Sequence, residues 1–321
     1  MIAVHLESGR VEVRNVPRPE RPEGYALLRL IAAGICNTDL ELQRGYYGFA
    51  GTPGHEFVAE VAETDDASLV GERVVGEINL ACRACGWCAR GLERHCPTRT
   101  VLGIVRQPGA FSDFFVLPER NLHIVPDTMT TERALFTEPV AASCEILDQV
   151  SIAPDEMVAV LGDGKLGLLI SQVLAARGCR VRQFGRHASK LRIPAARGVE
   201  TVIAGGNLPK REFRWVVDAT GSQTGLRQAL SMVEPRGTVI LKSTVHGELA
   251  IDTAPVIVDE VTLVGSRCGR FEPSLELLAR GPERGGIDVE SMIAGRFPLA
   301  QAPEAMSRAA EKGVLKIILE A

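Results

Sequence analysis

The sequence predicts an α/β chain built in two parts, a small β-barrel or sandwich followed by a doubly wound parallel sheet. Two rhythms and one turn carry that expectation. Up to Pro126 short apolar runs are broken by Gly and Pro, whereas beyond it long apolar strands alternate with helical segments. At the junction of the first such strand and helix lies the string Gly162-Asp163-Gly164-Lys165-Leu166-Gly167.

In the first part the β-like runs are VEVRNV, YALLRLIAAG, EFVAEVAE, ERVVGEI, FSDFFVLP and LHIVP. Short strands at this spacing, with turn residues between them, suit a barrel or sandwich. In the second part MVAVLG is an uninterrupted apolar run. It is followed by KLGLLISQVLAARG, which places Leu166, Leu169, Ile170, Val173 and Leu174 at helical spacing and stops at Gly178. CRVRQFG, RWVVDATG, TVILKS and VTLVGS then read as strands apolar enough to be buried on both faces, which is the habit of a parallel sheet. The remainder, with helices in SLELLARG and APEAMSRAAEKG and a strand in VLKIILE, fits neither another full β-α unit nor an independent domain, so it is expected to return to the first part.

Composition narrows the partners. Among 321 residues Lys plus Arg number 36 against 40 for Asp plus Glu, a formal charge of −4, and no basic run stands out. A nucleic acid or an anionic membrane is therefore not expected, and a small-molecule ligand is. No stretch approaches the ~18 consecutive apolar residues of a membrane span, and the beginning lacks the pattern of a secretory leader, so the expected location is cytoplasmic. In that reducing compartment clustered cysteines point to metal rather than to disulfides.

The G-x-G-x-x-G string follows a strand and opens a helix, the context that dinucleotide binding requires. Gly162 permits the tight turn, Gly164 lets backbone approach a pyrophosphate, and Gly167 lets helix pack on strand, with Lys165 and Leu166 between them. An Asp or Glu ~20 residues on would bind the ribose 2′-hydroxyl of NAD. Here that position is Gly185, followed by Arg186 and His187, with Lys190 nearby. A carboxylate would repel a 2′-phosphate, and its absence beside an arginine favours NADP over NAD. The plainer alternative makes Arg186 and Lys190 a solvated helix start.

Cys82, Cys85, Cys88 and Cys96 follow C-x2-C-x2-C-x7-C. Four thiolates that can converge tetrahedrally suit Zn²⁺, and four protein ligands leave no position for substrate, so this zinc is structural. The bacterial iron–sulfur spacing has three residues, not seven, before its last cysteine. Elsewhere Cys36, in GICNTD, precedes His55 and Glu56, in PGHEFVAEV. Taken singly each has a plain reading, a buried thiol and a strand-end histidine.

Together with VGERVV, the cysteine lobe, GAFSDFFVLPERNLHIVPD, TEPVA, VLGDGKLG, VDATG and VTLVGS, these motifs make the sequence resemble the zinc-dependent medium-chain dehydrogenase/reductase family, the alcohol and polyol dehydrogenases, over almost its whole length. The resemblance implies a GroES-like β-barrel catalytic domain over 1–128 and 268–321, with the structural zinc lobe at 80–97, and a Rossmann domain over 129–267. It implies two zincs per chain. The catalytic one would be held by Cys36, His55 and Glu138, with Glu56 as an exchanging ligand or an adjacent group. Asp39 would orient His55, and Thr38 would take the substrate proton. A histidine common in the family's relay is replaced by Glu41. Thr220 and Gly221 would line the cofactor groove, with Ser266 near the nicotinamide. Tyr46, Tyr47 and Phe49 would either line the substrate pocket or pack their own loop. The implied reaction is hydride transfer between a secondary alcohol, polyol or sugar-like alcohol and NADP, in a homodimer or homotetramer. Reduction of a conjugated C=C bond on the same zinc scaffold, or a non-catalytic nucleotide-binding role, are the rival expectations.

Overall fold

Tyr25–Gly34, YALLRLIAAG, buries most of its residues, leaving Arg29 exposed and Tyr25 and Ile31 half-buried, and is the axis of the first sheet in the computed structural model. The structure describes residues 1–243 and 250–321. Along its first half this strand pairs antiparallel with Phe114–Pro118, and along its last three residues with Lys316–Glu320. On its other side lies Glu56–Glu63, so that strands run in the order Leu122–Ile124, Arg73–Gly76, Glu56–Glu63, Tyr25–Gly34, Lys316–Glu320, Ile293–Pro298. The expected β-rich first part is therefore present, preceded by an antiparallel hairpin of Ile2–Glu7 and Arg10–Asn15. Its core is apolar and closely buried around Leu28, Leu30, Val58, Phe111 and Leu117.

The second sheet has six parallel strands in the order Glu200–Ile203, Arg180–Gly185, Met157–Leu161, Phe213–Asp218, Val233–Leu241, Thr262–Gly265. In chain order this is 3-2-1-4-5-6, the doubly wound arrangement that binds dinucleotides at its switch point. Glu200–Ile203 is not among the strands expected from sequence. It is a short edge strand whose side chains are half-buried or exposed, so it lacks the continuous apolar run of its neighbours. The helix expected after the glycine turn spans Lys165–Ala176 and buries Gly167 to Leu174.

Contacts divide the chain into Met1–Glu138 with Ile293–Ala321, and Pro139–Met292. The boundaries expected at 128 and 268 are thus displaced, and 268–292 stays with the parallel sheet. Local bonds explain it. Gln172 exchanges two hydrogen bonds with the Asp288 backbone, at 3.0 and 2.8 Å, and Arg197 donates to the Gly286 carbonyl at 3.1 Å. The helix Phe271–Arg280 buries Phe271, Leu277 and Leu278. No helix among the described residues is long and apolar enough to cross a membrane.

Phe213 is 1% exposed and meets Phe184 edge-on, with ring centroids 5.9 Å apart. Phe213→Ala should destabilise the parallel-sheet unit by about 3–5 kcal/mol, read by urea denaturation followed on the Trp215 emission. A loss below about 1 kcal/mol would show that this core is not packed as described.

Candidate active site: a metal pocket and a dinucleotide turn

The cysteine lobe is built of short 3₁₀ turns, and it exposes its large apolar side chains Trp87 and Leu92, at 45% and 37%. Its sulfurs nevertheless converge, with Sγ separations of 3.5 Å for Cys85 and Cys88, 3.9 Å for Cys85 and Cys96, and 3.5 Å for Cys82 and Cys96. Four sulfurs at ~2.3 Å from a tetrahedral zinc stand ~3.8 Å from one another, so the donor set fits. The Thr98 hydroxyl draws the Cys96 thiol down to about 6, while burial pushes Cys88 up to about 12.

The second cluster is built by a strand end and a helix start. Cys36 is the N-cap of the helix Asn37–Gln43, and its backbone N–H donates to Asp39 Oδ2 at 2.8 Å. Asp39 Oδ1 in turn accepts from Gly54 N at 3.2 Å, which ties the helix to the turn that presents His55. His55 Nδ1 lies 3.4 Å from the same oxygen without the alignment of a hydrogen bond, and the carboxylate still faces the ring. Ligand atoms of Cys36, His55 and Glu56 lie within 4.8 Å of one another. Thr38 Oγ1 is 3.6 Å from Cys36 Sγ.

The pocket is closed off from water. Asp39, His55 and Glu56 are 0%, 3% and 1% exposed. Lys316, also 1% exposed, donates its ammonium to Glu56 Oε2, with the Phe136 ring 5.5 Å from Nζ. Burial works to discharge both His55 and Lys316, yet each is held above its ordinary pKa. The neighbours that outweigh burial are Asp39 and Cys36 for His55, and Glu56, Cys36 and Asp39 for Lys316. Such a pocket calls for positive charge. The groups that hold both His55 and Lys316 toward their charged forms make a field that favours a cation, and a thiol, imidazole and carboxylate donor set suits a divalent one.

Glu138 is placed apart from this group. It is half-buried at the second position of the helix Thr137–Gln149 and is not among the side chains whose ligand atoms come within 4.8 Å. Glu41 is paired with Arg44 at 2.5 Å. The Tyr46 and Tyr47 rings meet at a tilt of 41° with centroids 4.2 Å apart, and Tyr47 is 67% exposed. Burial pushes Cys144 up to about 12, which makes it an inert thiol.

In the parallel-sheet unit the glycine turn is a cradle that side chains would fill. A Cβ on Gly162 would stand 2.6 Å from the Ala219 carbonyl oxygen, at φ +110°, and one on Gly167 would stand 2.4 Å from the Gly162 carbonyl. Gly164, by contrast, has open space beside it and caps the helix that Lys165 and Leu166 begin. These are the requirements of a pyrophosphate site. Thr220 donates through N and Oγ1 to Asp218 Oδ1, at 3.0 and 2.8 Å, and Gly221 follows at φ +61°. Ser266 Oγ accepts from Lys242 Nζ at 3.1 Å.

At the end of Arg180–Gly185, Gly185 is buried, Arg186 exposed, and His187 and Lys190 half-buried. The carboxylate missing from that strand end in sequence is present in space. Asp163, inside the glycine turn, accepts at Oδ2 from Arg186 N, His187 N and His187 Nδ1, at 2.7, 2.6 and 2.9 Å. Sequence reasoning passed over Asp163, Lys242 and Lys316. The signal for Lys316 was a lone lysine inside the apolar strand VLKIILE, and for Asp163 an acid between two glycines.

A doubly wound dinucleotide-type sheet in one chain with two cysteine-containing donor clusters, one of four sulfurs and one mixed, is the combination found in zinc-type oxidoreductases. Residues 22–127 match the family model of the alcohol dehydrogenase GroES-like domain, and residues 166–280 that of the zinc-binding dehydrogenase. D-altritol 5-dehydrogenase of Agrobacterium fabrum is 29% identical over 314 residues, 92% of each chain. L-galactonate-5-dehydrogenase of Escherichia coli is 29% identical over 92% of this chain and 90% of its own. A zinc-binding dehydrogenase of Sinorhizobium meliloti solved with NADP is 28% identical, with a TM-score of 0.89 over 100% of this chain and 99% of that one. The chain belongs to the zinc-dependent medium-chain dehydrogenase/reductase family, and is of the alcohol dehydrogenase type that acts on CH–OH donors.

Lys316→Met would leave the Glu56 carboxylate buried without its cation. The expected cost is about 3–5 kcal/mol of stability in chemical denaturation, with most of it restored in Lys316→Arg. A Lys316→Met chain as stable as the wild type would show that the pair does not hold the pocket.

Proposed function

We propose that the protein interconverts a secondary alcohol of polyol or sugar-like type and its ketone, using NADP in preference to NAD and a catalytic zinc at Cys36 and His55. The convergence of the half-buried Cys36 thiol with the buried His55 imidazole, beside the buried Glu56 carboxylate, carries this reading. Glu138 is proposed as the third ligand, brought to the metal from its helix start, while Glu56 stays committed to Lys316. When bound, zinc supplies a Lewis acid with one position left for a hydroxyl, and NADP supplies the hydride acceptor.

The chain's own residues do the rest. Asp39 aims the imidazole of His55 and, by bonding Cys36 N, sets the start of the helix that carries Thr38. Thr38 Oγ1 accepts the substrate's hydroxyl proton. Glu41, one helical turn on, passes it toward solvent. Gly162, Gly164 and Gly167 receive the pyrophosphate, Arg186 and Lys190 attract the 2′-phosphate, Thr220 and Gly221 line the cofactor groove, and Ser266 lies near the nicotinamide. The named relatives act on D-altritol and L-galactonate, both polyhydroxylated, and the Sinorhizobium neighbour was solved with NADP, which supports the substrate class and the cofactor. Ile257 and Val258 are 73% and 77% exposed just before the edge strand Thr262–Gly265, which supports pairing of copies along that edge in a homodimer or homotetramer.

A panel of polyols, simple alcohols and conjugated enones, followed at the nicotinamide absorbance, tests the function. Turnover of a polyhydroxylated secondary alcohol is expected, abolished in Cys36→Ser. Turnover confined to the enones would contradict it. Arg186→Ala should lower NADPH affinity about tenfold and leave NADH unchanged; equal wild-type affinities would refute the preference for NADP.

A further inference from the structure

We propose that Asp163 is the residue that discriminates against a 2′-phosphate, opposing Arg186 and Lys190, so that the selectivity between NADP and NAD is the balance of an acid delivered by the glycine turn and two bases on the next helix. The proposal rests on the dinucleotide reading of this unit and refines it.

In doubly wound folds the 2′ substituent of the adenosine ribose is read at the end of the second strand, by an acid when it is a hydroxyl and by a base when it is a phosphate. That strand ends at Gly185. A Cβ built on Gly185 would lie 2.6 Å from Asp163 Cβ and 2.9 Å from its Oδ2, so the aspartate fills the volume that a strand-end side chain would take. The carboxylate therefore stands where an NAD-type acid stands, although it arrives from a residue 22 positions earlier in the chain.

Its bonding decides what it does there. Oδ2 accepts from the backbone N–H groups of Arg186 and His187 and from the His187 ring. His187 is the N-cap of the helix Ala188–Ala195, and those N–H groups are the donors that an anion at this helix start would use. A 2′-phosphate must compete with a built-in carboxylate for them, whereas a 2′-hydroxyl can donate to Oδ1, which none of those bonds engages. Burial favours the protonated acid, but the bonds from His187 and Arg186 outweigh it and hold Asp163 below the usual carboxylate range, so the charge is present at neutral pH. The attraction on the other side comes from the exposed Arg186 side chain and from Lys190, one turn into the helix.

A purely structural latch would behave differently. Cutting a latch loosens the turn and weakens both nucleotides alike; removing a discriminating charge changes their ratio. Asp163→Asn keeps the shape and removes the charge, and Asp163→Ser shortens the side chain as well. Calorimetric titration of each purified chain with 5′-AMP and with 2′,5′-ADP reads only the adenosine half, and NADH and NADPH binding extends the comparison to the whole cofactor. Because each pair of ligands meets the same preparation, partial unfolding lowers both affinities and leaves their ratio. The ratio of 2′,5′-ADP to 5′-AMP affinity should rise about tenfold in both variants, the scale of one unit charge removed from a partly buried site. An unchanged or falling ratio would overturn the proposal. A wild-type ratio at or below one would refute the preference for NADP while leaving the direction of the Asp163 effect as expected. Failure of the wild type to bind any of the four ligands would overturn both.

Discussion

The buried pairing of Lys316 with Glu56 is the constraint on which the first unit turns. The Asp39 and Glu56 carboxylates are buried together beside the half-buried Cys36, and carboxylates so enclosed need compensating partners. One ammonium answers one of them. It comes from the last strand of the chain, 260 residues from its partner, so the pocket exists only once Lys316–Glu320 has paired with Tyr25–Gly34. Gly34 makes the approach possible, since a Cβ there would lie 2.6 Å from Glu56 Oε2 and 3.3 Å from the Lys316 stem. Asp39 and Cys36, which hold His55 above its ordinary pKa, make the rest of the pocket one that favours a cation.

The two cysteine sites divide the labour by ligand count. Four converging sulfurs suit a closed metal shell, while the mixed group of Cys36, His55 and Glu56 suits one with room for a substrate oxygen. Around the second site the neighbouring groups do as much as the ligands. Asp39 accepts from Cys36 N and Gly54 N and faces His55, so a single carboxylate sets the relative positions of Cys36 and His55.

Much of this was legible in the sequence because it is periodic or local. The apolar strands Met157–Leu161 and Phe213–Asp218, the amphipathic helix Lys165–Ala176 and the four-cysteine spacing all announce themselves within a window of a dozen residues or so. What escaped depends on contacts between distant segments. Lys316 looks like a blemish in an apolar strand until Glu56 is placed against it. Asp163 looks like filler between glycines until the next strand ends beside it at Gly185. Counting along the strand found no acid there, because the acid crosses from the neighbouring turn. The assignment of 268–292 failed for the same reason, since the bonds of Gln172 and Arg197 to that segment have no signature in linear order.

That the anionic pocket at Cys36 and His55 is a zinc site, separate from the cysteine lobe, is tested most directly by zinc-edge X-ray absorption on the purified chain. Filling of both sites predicts two zincs per chain and an average of about 2.5 sulfur neighbours per zinc, four in the lobe and one at Cys36, with the rest nitrogen or oxygen. Cys36→Ser should then retain one zinc with sulfur neighbours only. A single zinc surrounded by four sulfurs in the wild type, unchanged in Cys36→Ser, would contradict the assignment of the pocket as a metal site.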